Sequence, residues 1–233
     1  AWFEAVFLAL DSSAVIRWLH QEGEWMQANT TVCEIDANAR ALLSAERPAM
    51  NFLQTLSFTA TITRQYVDAS AGASPNPNGC AILDTRKTLP GLRQAQKYAV
   101  RIGHGQNQRM ALWDGILIKE NHIAAAGSIT AALKAADALR AGVEVQIEVE
   151  SITELEEALS AGATSILIDN FSLEQMRLAV KINAGRALLE ASGGVSIDQI
   201  KAIASTGVDR ISIGKLTKDI QAIDYSMRID PIS

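Results

Sequence analysis

The chain has 233 residues, 48% of them hydrophobic and 20% charged, which is apolar material enough for one large domain or one plus a small appendage and excludes global disorder. A net charge of −5 excludes a general nucleic-acid binder, though not a local basic pocket. No run of about 18 apolar residues exists to span a membrane.

The opening AWFEAVFLAL has no Met and reads as a strand or helix already under way, so a missing or processed N-terminus is expected. It shows no basic, apolar and cleavage-site sequence of a secretory signal, and cytoplasm is the expected location. VIRWLHQEGEW and TVCEID read as a hairpin-like β pair around Gly23. From Asn38 to about Ala71, Leu42, Leu43, Ala49, Met50, Leu53 and Leu56 recur at helical spacing. Pro48 should kink or break that helix. ASAGASPNPNG, 69–79, is the strongest linker signal in the chain.

Beyond residue 79, β-rich runs alternate with amphipathic ones. Strands are predicted at 81–83, 115–118, 145–149, 165–168, 187–189 and 210–213. Helices are predicted at 129–141, 152–161, 173–182 and 197–206. Gly142, Gly162 and Gly207 suit helix C-termini, Thr153 stands near a helix start, and Ser172 and Ser196 suit N-caps. Later strand starts recur at roughly 21–23 residues, the spacing of βα units. SILID and RISIG are apolar without strict alternation, as in strands covered on both faces. A parallel α/β barrel and a doubly wound sheet both fit. Polar residues end nearly every strand, as a ring of βα loops requires, and this favours the barrel. Cys33 and Cys80 belong to no metal-ligand pattern, so two reduced thiols are expected and no zinc site.

The strand tips carry the chemistry. In order they offer Arg86 and Lys87; Lys119, Glu120, Asn121 and His122; Glu148 and Glu150; Asp169 and Asn170; Ser192, Gly193 and Gly194; and Gly214. Parallel strands would bring all of these to one rim. One side then carries Arg86, Lys87, Arg109 and Lys119; the other carries Glu148 and Asp169, followed by glycine turns. Two like charges 4 Å apart repel by about 4 kcal/mol at an effective dielectric of about 20, so the basic cluster predicts an anionic substrate, a carboxylate or phosphate. The carboxylates suit a divalent metal or a cationic, hydroxyl-rich group, and the glycine turns suit a phosphate held by backbone N–H groups. Taken singly, each feature has a plainer reading: a lysine or arginine is usually solvated, an SGG turn is usually a loop, and His20 and His122 are ordinary structural histidines. The weight rests on their joint occurrence at successive strand ends.

ILDTRKTLPGLR, KYAVRIGHGQNQRMALWDGILIKENHI, IEVES, ILIDN, LLEASGGV and ISIGKLT, with LLSAERPAMNFLQTLS in the first region, closely resemble the quinolinate phosphoribosyltransferase family. These are the decarboxylating nicotinate-nucleotide pyrophosphorylases of NAD biosynthesis. The resemblance runs in order through almost the whole chain, and family members carry further residues before its first position. It implies a pentosyltransferase that converts quinolinate and phosphoribosyl pyrophosphate to nicotinate mononucleotide, pyrophosphate and CO₂ with Mg²⁺. It implies an incomplete α/β barrel over 79–216, joined to a smaller N-terminal α/β sandwich domain over 1–72 to which the tail, 217–233, returns. It also implies a homodimer or larger homo-oligomer with shared active sites, and no nucleic-acid or membrane partner.

Carried over by motif, Arg86, Arg109 and Lys119 would bind the quinolinate carboxylates, and Arg47 would reach the adjacent subunit's pocket for the same purpose. Lys87 would contact the phosphoribosyl donor. Glu148 and Asp169 would face ribose and metal, and Ser192, Gly193, Gly194 and Gly214 would cradle the 5-phosphate. Lys119, Glu148 and Asp169 would form the catalytic set. No protein nucleophile is required: the pyridine nitrogen attacks the sugar, and the charged ring then accepts the electrons of the departing carboxylate.

Two positions in GHGQNQR depart from the family pattern. His104 replaces a glycine, and Gln108 stands where a substrate-contacting histidine is usual. Gln donates a hydrogen bond but carries no charge, so quinolinate binding is expected to be weaker or less pH-dependent than in a His-bearing site. Titration of a Gln108→His variant checks this, and a fall in affinity would count against it. Other readings of the chain are a barrel lyase using Lys119 as a Schiff-base amine, a non-catalytic paralogue that binds pyridine carboxylates or phosphates, and a transferase acting on another aromatic acid.

Overall fold

The structure, a computed structural model, describes residues 1–229; the last four residues of the predicted returning tail, 230–233, lie outside the described residues. Helix α1 (Trp2–Leu10) opens the chain and is followed by strands β1 (Val15–Trp18) and β2 (Cys33–Asp36). The two strands pair antiparallel, with Trp18 opposite Cys33. Alternation puts Ile16 and Trp18 on one face, where they pack with Phe3, Phe7 and Ile35.

Helix α2 (Ala39–Ser70) starts where Asn38 accepts a hydrogen bond from the Arg40 N–H at 3.0 Å. It runs 32 residues straight through Pro48, so the expected break does not occur. Pro48 withholds the N–H that would reach the Ser44 carbonyl. Both residues face solvent, where water can satisfy that carbonyl, while Ala45 and Ala49 anchor the same turns in the core. The helix joins two apolar clusters. Its first half contributes Ala45, Ala49 and Met50 to a small cluster with α1, against which Tyr225 and Met227 of the tail also pack. Its second half contributes Tyr66 to the large one.

The remaining elements follow as β3 (Ala81–Leu83), α3 (Arg93–Ile102), β4 (Ile116–Ile118), α4 (Glu120–Ala126), α5 (Ile129–Ala138), β5 (Val145–Val149), α6 (Ile152–Ser160), β6 (Ser165–Asp169), α7 (Leu173–Asn183), β7 (Leu188–Ser192), α8 (Ile197–Ala204), β8 (Arg210–Ser212) and α9 (Lys215–Lys218). The six strands β3–β8 form one parallel sheet in the order β3-β8-β7-β6-β5-β4. Neighbours follow chain order from β4 to β8 without the reversal of a doubly wound sheet, and β3 then flanks β8. This is a barrel order left open between β3 and β4, where the bridge Leu83–Gln106 prolongs the β3 edge. The expected incomplete α/β barrel is what the chain forms.

Several bounds differ from the sequence reading. Strands β6 and β7 reach Asp169 and Ser192, which pair in register with each other, because the ladder continues into the tip residues. Helix α5 stops at Ala138 rather than 141, ahead of Arg140 and Gly142 at φ 48° and 67°. Helices α3, α4 and α9 were not predicted. Ile147, Val149, Ile166, Ile168, Leu189 and Ile211 fill the layer beneath the helices, each worth about 1.5–3 kcal/mol on burial. The opposite, lumen face carries Gln146, Ser165, Glu190 and Ser212, all buried and all polar. Both cysteines are free; burial pushes the Cys33 thiol up to about 11 and the Cys80 thiol up to about 12. No described helix is long and apolar enough to cross a membrane.

Candidate active site

The first strand tip is built on a buried ion pair. Asp84 follows β3 directly, is inaccessible to solvent and binds the Lys97 ammonium of α3. Asp84 also accepts from the Asn107 amide at 2.6 Å and the Gln108 N–H at 2.9 Å, and Lys97 donates to the Gln108 carbonyl at 2.7 Å. Burial pushes the Asp84 carboxyl up and the Lys97 ammonium down, and their mutual attraction opposes both shifts. The pair therefore fixes the backbone just ahead of Arg109.

Arg93 braces the same region from α3. It donates to the Arg86 carbonyl at 3.1 Å, the Met110 carbonyl at 3.2 Å and the Thr88 hydroxyl at 3.2 Å. The loops bearing Arg86 and Arg109 are thus tied together. Arg109 lies across Gly115, whose carbonyl accepts from Nη1 at 2.9 Å. Burial, and then the neighbouring charge of Arg86, push the Arg109 guanidinium below its ordinary value. Two cations held this way favour an anion between them.

The acids occupy the next tips. Lys119 Nζ lies 2.6 Å from Glu148 Oε2, and Glu148 is only 11% exposed. Gln146 and Glu148 share the lumen side of β5 by alternation, and Glu150 follows just past its end. Carboxylate oxygens of Glu148, Glu150 and Asp169 lie within 4.8 Å of one another. Three convergent hard oxygen donors suit a small divalent cation. Asp169 accepts from the Asn170 side chain at 2.7 Å.

The glycine turn packs against that same asparagine. Gly193 sits at φ 109°, and a Cβ there would lie 2.2 Å from Asn170 Oδ1, so only glycine fits. Gly194 also takes a positive φ, 55°, and both follow Ser192 at the tip of β7. Gly214 lies beneath Lys87: a Cβ would sit 3.1 Å from Lys87 Cδ and 3.9 Å from Lys218 Cε. The Thr217 hydroxyl donates to the Lys87 carbonyl at 2.8 Å.

The structure thus brings Arg86 to Arg109, Lys119 to Glu148 and Asp169, Ser192–Gly194 to Asn170, and Lys87 to Gly214. Arg47 stands apart, exposed on α2, with no hydrogen bond or ion pair to a rim residue among the described residues. His104 is exposed at φ 66°. The Gln108 amide turns inward to Gln146 and Glu190. His122 Nδ1 accepts from the Lys119 N–H at 3.0 Å, a local bond at the start of α4. Sequence reasoning missed Lys97, Arg93 and Lys218. Lys97 and Arg93 lie inside the quoted motifs and Lys218 directly follows one, but nothing around Lys97 signals that its ammonium is buried.

Residues 59–228 match the family description "Quinolinate phosphoribosyl transferase, C-terminal domain", and residues 1–57 match "Quinolinate phosphoribosyl transferase, N-terminal domain". The chain is 40% identical over 224 residues to the "Probable nicotinate-nucleotide pyrophosphorylase [carboxylating]" of Bacillus subtilis, covering 96% of this chain and 76% of that protein. It is 41% identical over 210 residues to the "Nicotinate-nucleotide pyrophosphorylase [carboxylating]" of Mycobacterium leprae, covering 89% and 72%. Among solved structures it is similar to NadC from Streptococcus pyogenes, with a TM-score of 0.91 and 39% identity over 97% of this chain and 79% of that one. The nicotinate-nucleotide pyrophosphorylase from Francisella tularensis gives a TM-score of 0.89 and 44% identity over 95% and 78%.

Proposed function

This chain belongs to the quinolinate phosphoribosyltransferase family, and from that premise we propose how its own residues perform the reaction. The enzyme transfers the phosphoribosyl group of phosphoribosyl pyrophosphate to the ring nitrogen of quinolinate, releasing pyrophosphate and CO₂ and leaving nicotinate mononucleotide. The observation that carries the assignment of roles is the braced Arg86–Arg109 pair on the same rim as the Glu148–Glu150–Asp169 cluster. A pyridine with two adjacent carboxylates answers the guanidiniums, and Lys119 adds a third cation while anchored on Glu148.

Departure of pyrophosphate leaves positive character on the ribose. Glu148 and Asp169 face that charge in a partly buried setting, where fixed carboxylates act strongly. The nitrogen bonds to the sugar carbon that pyrophosphate leaves. Its positive charge then stabilises the electron pair left on the adjacent ring carbon as the bond to the 2-carboxylate breaks, CO₂ leaves, and that carbon takes a proton from water. Ser192, Gly193, Gly194 and Gly214, with Lys87 across them, hold the 5-phosphate. Mg²⁺ would be held by Glu148 and Asp169, with Glu150 beside them, and would neutralise charge on the pyrophosphate. The same proposal covers the 1–72 and 79–216 division with the tail on the smaller unit, a cytoplasmic location, and a homodimer or larger assembly in which Arg47 serves the neighbouring subunit.

The test is incubation with quinolinate, phosphoribosyl pyrophosphate and Mg²⁺. Nicotinate mononucleotide and CO₂ should appear in equal amounts, and a chelator should stop turnover until Mg²⁺ is restored. Pyridine carboxylate binding without pyrophosphate release would mark a non-catalytic paralogue instead. Mixing Arg47→Ala with Lys119→Ala protein should recover part of the activity each lacks alone; no recovery would refute the shared site.

A further inference from the structure

Beneath the paired guanidiniums lies a buried polar chain that the transfer chemistry does not use. Glu190, on the lumen face of β7, is 1% exposed. Its Oε2 accepts from the Gln146 amide at 2.9 Å and from the Gln108 amide at 3.4 Å, while Oε1 has no hydrogen-bond partner. Among the described residues no cation pairs with it; Arg210, its register partner on β8, binds Glu144 at 3.1 Å instead. Gln146 Oε1 in turn accepts from Gln108 Nε2 at 2.9 Å. Gln108 Oε1 then accepts the Arg109 N–H at 2.6 Å.

Gln108 is therefore held at every polar atom. Asp84 and Lys97 take its backbone N–H and carbonyl, Gln146 and Glu190 take its amide donors, and Arg109 takes its amide oxygen. A carboxylate in a lumen that barrels usually fill with branched apolar chains is costly unless the fold uses it. Its two accepted bonds fix which way each glutamine amide points. The orientation of Gln108 decides whether an oxygen or an NH₂ meets the Arg109 N–H, and hence where the guanidinium stands.

We propose that Glu190 is a positioning residue for the acid substrate: acting through Gln146 and Gln108, it sets Arg109 in place for the carboxylates of the pyridine. This rests on the assignment of Arg109 to quinolinate above. It predicts an effect confined to one of the two substrates, because the phosphoribosyl donor is met by Lys87 and the glycine turns.

The experiment compares KM for quinolinate and for phosphoribosyl pyrophosphate in Glu190→Gln, Glu190→Ala, Gln146→Leu and Gln108→Ala, and in the Glu190→Ala/Gln108→Ala double variant. Glu190→Gln keeps a carbonyl acceptor for both amides and should stay within about threefold of the unsubstituted enzyme. Glu190→Ala leaves donors unpaired and should raise KM for quinolinate about tenfold, with KM for the donor unchanged. Gln146→Leu, which leaves the carboxylate in place, should do the same and serves if Glu190→Ala fails to fold. In the Gln108→Ala background, adding Glu190→Ala should have no further effect. The inference is overturned by an unchanged quinolinate KM, by an equal rise for both substrates, by an isosteric Glu190→Gln as impaired as the alanine variant, or by additivity in the double variant. Absence of quinolinate turnover in the unsubstituted enzyme would instead defeat the reading of Arg109 on which this one stands.

Discussion

Replacing Arg109 with alanine is expected to lower kcat/KM for quinolinate by about 10²–10³-fold, because truncating one partner of a desolvated charge pair costs about 2–5 kcal/mol. Most of the loss should fall on KM for quinolinate. The guanidinium is partly buried, its Nη1 is spent on Gly115, and Arg86 stands beside it. Free enzyme therefore bears a repulsion that bound dianion relieves. Arg109→Lys should recover little, since an ammonium offers no planar fork to a carboxylate. Steady-state kinetics with quinolinate varied at saturating donor checks this. A variant that loses affinity for phosphoribosyl pyrophosphate instead would place Arg109 in the wrong half of the site.

Replacing Lys97 with methionine is expected to destabilise the protein by about 3–5 kcal/mol, the usual cost of leaving a buried charge without its partner. Both side chains are 1% exposed or less. In a chain of this size that is a fall in Tm of about 6–20 °C. The sign with pH follows from Asp84. Burial raises its carboxyl above the ordinary carboxylate value in the folded state, so folding favours the protonated acid. That contribution is fully present below the unfolded value and is lost as pH rises through the folded one. Without Lys97 the upward shift grows, because the attraction that opposed it has gone. The deficit of Lys97→Met should therefore narrow as pH falls toward 4 and widen toward neutrality. Thermal melts across that range test it, and a deficit independent of pH would contradict it. The double variant Asp84→Asn/Lys97→Met should regain part of the loss, since no charge is then left buried.

The barrel was legible because parallel strands announce themselves twice. SILID and RISIG are apolar without alternation, and they end in an aspartate and a glycine that have no purpose in a core. The pairing of Asp169 with Ser192 between β6 and β7 extends that pattern into the site. The helix through Pro48 was misjudged because local cost was weighed without burial: Ala45 and Ala49 are fully buried, and their packing holds turns that one missing N–H weakens. The rim cations and acids could be named from strand ends, but their supports could not. Lys97, Asn107 and Glu190 act through contacts separated by 10 or more residues, and a solvated lysine and a buried one look alike in a sequence. Gln108 shows the same limit. A substrate-facing residue was expected from its motif, yet its amide is occupied within the lumen.

The claim at the centre of this account is that paired guanidiniums choose a doubly anionic pyridine and that acids across the rim steady the sugar it attacks. Comparing quinolinate with nicotinate, which lacks the 2-carboxylate, tests it most directly under identical donor and Mg²⁺. The account predicts kcat/KM for nicotinate lower by about 100-fold or more, since part of the paired cationic charge is left unanswered. Equal kcat/KM for the two acids would contradict it.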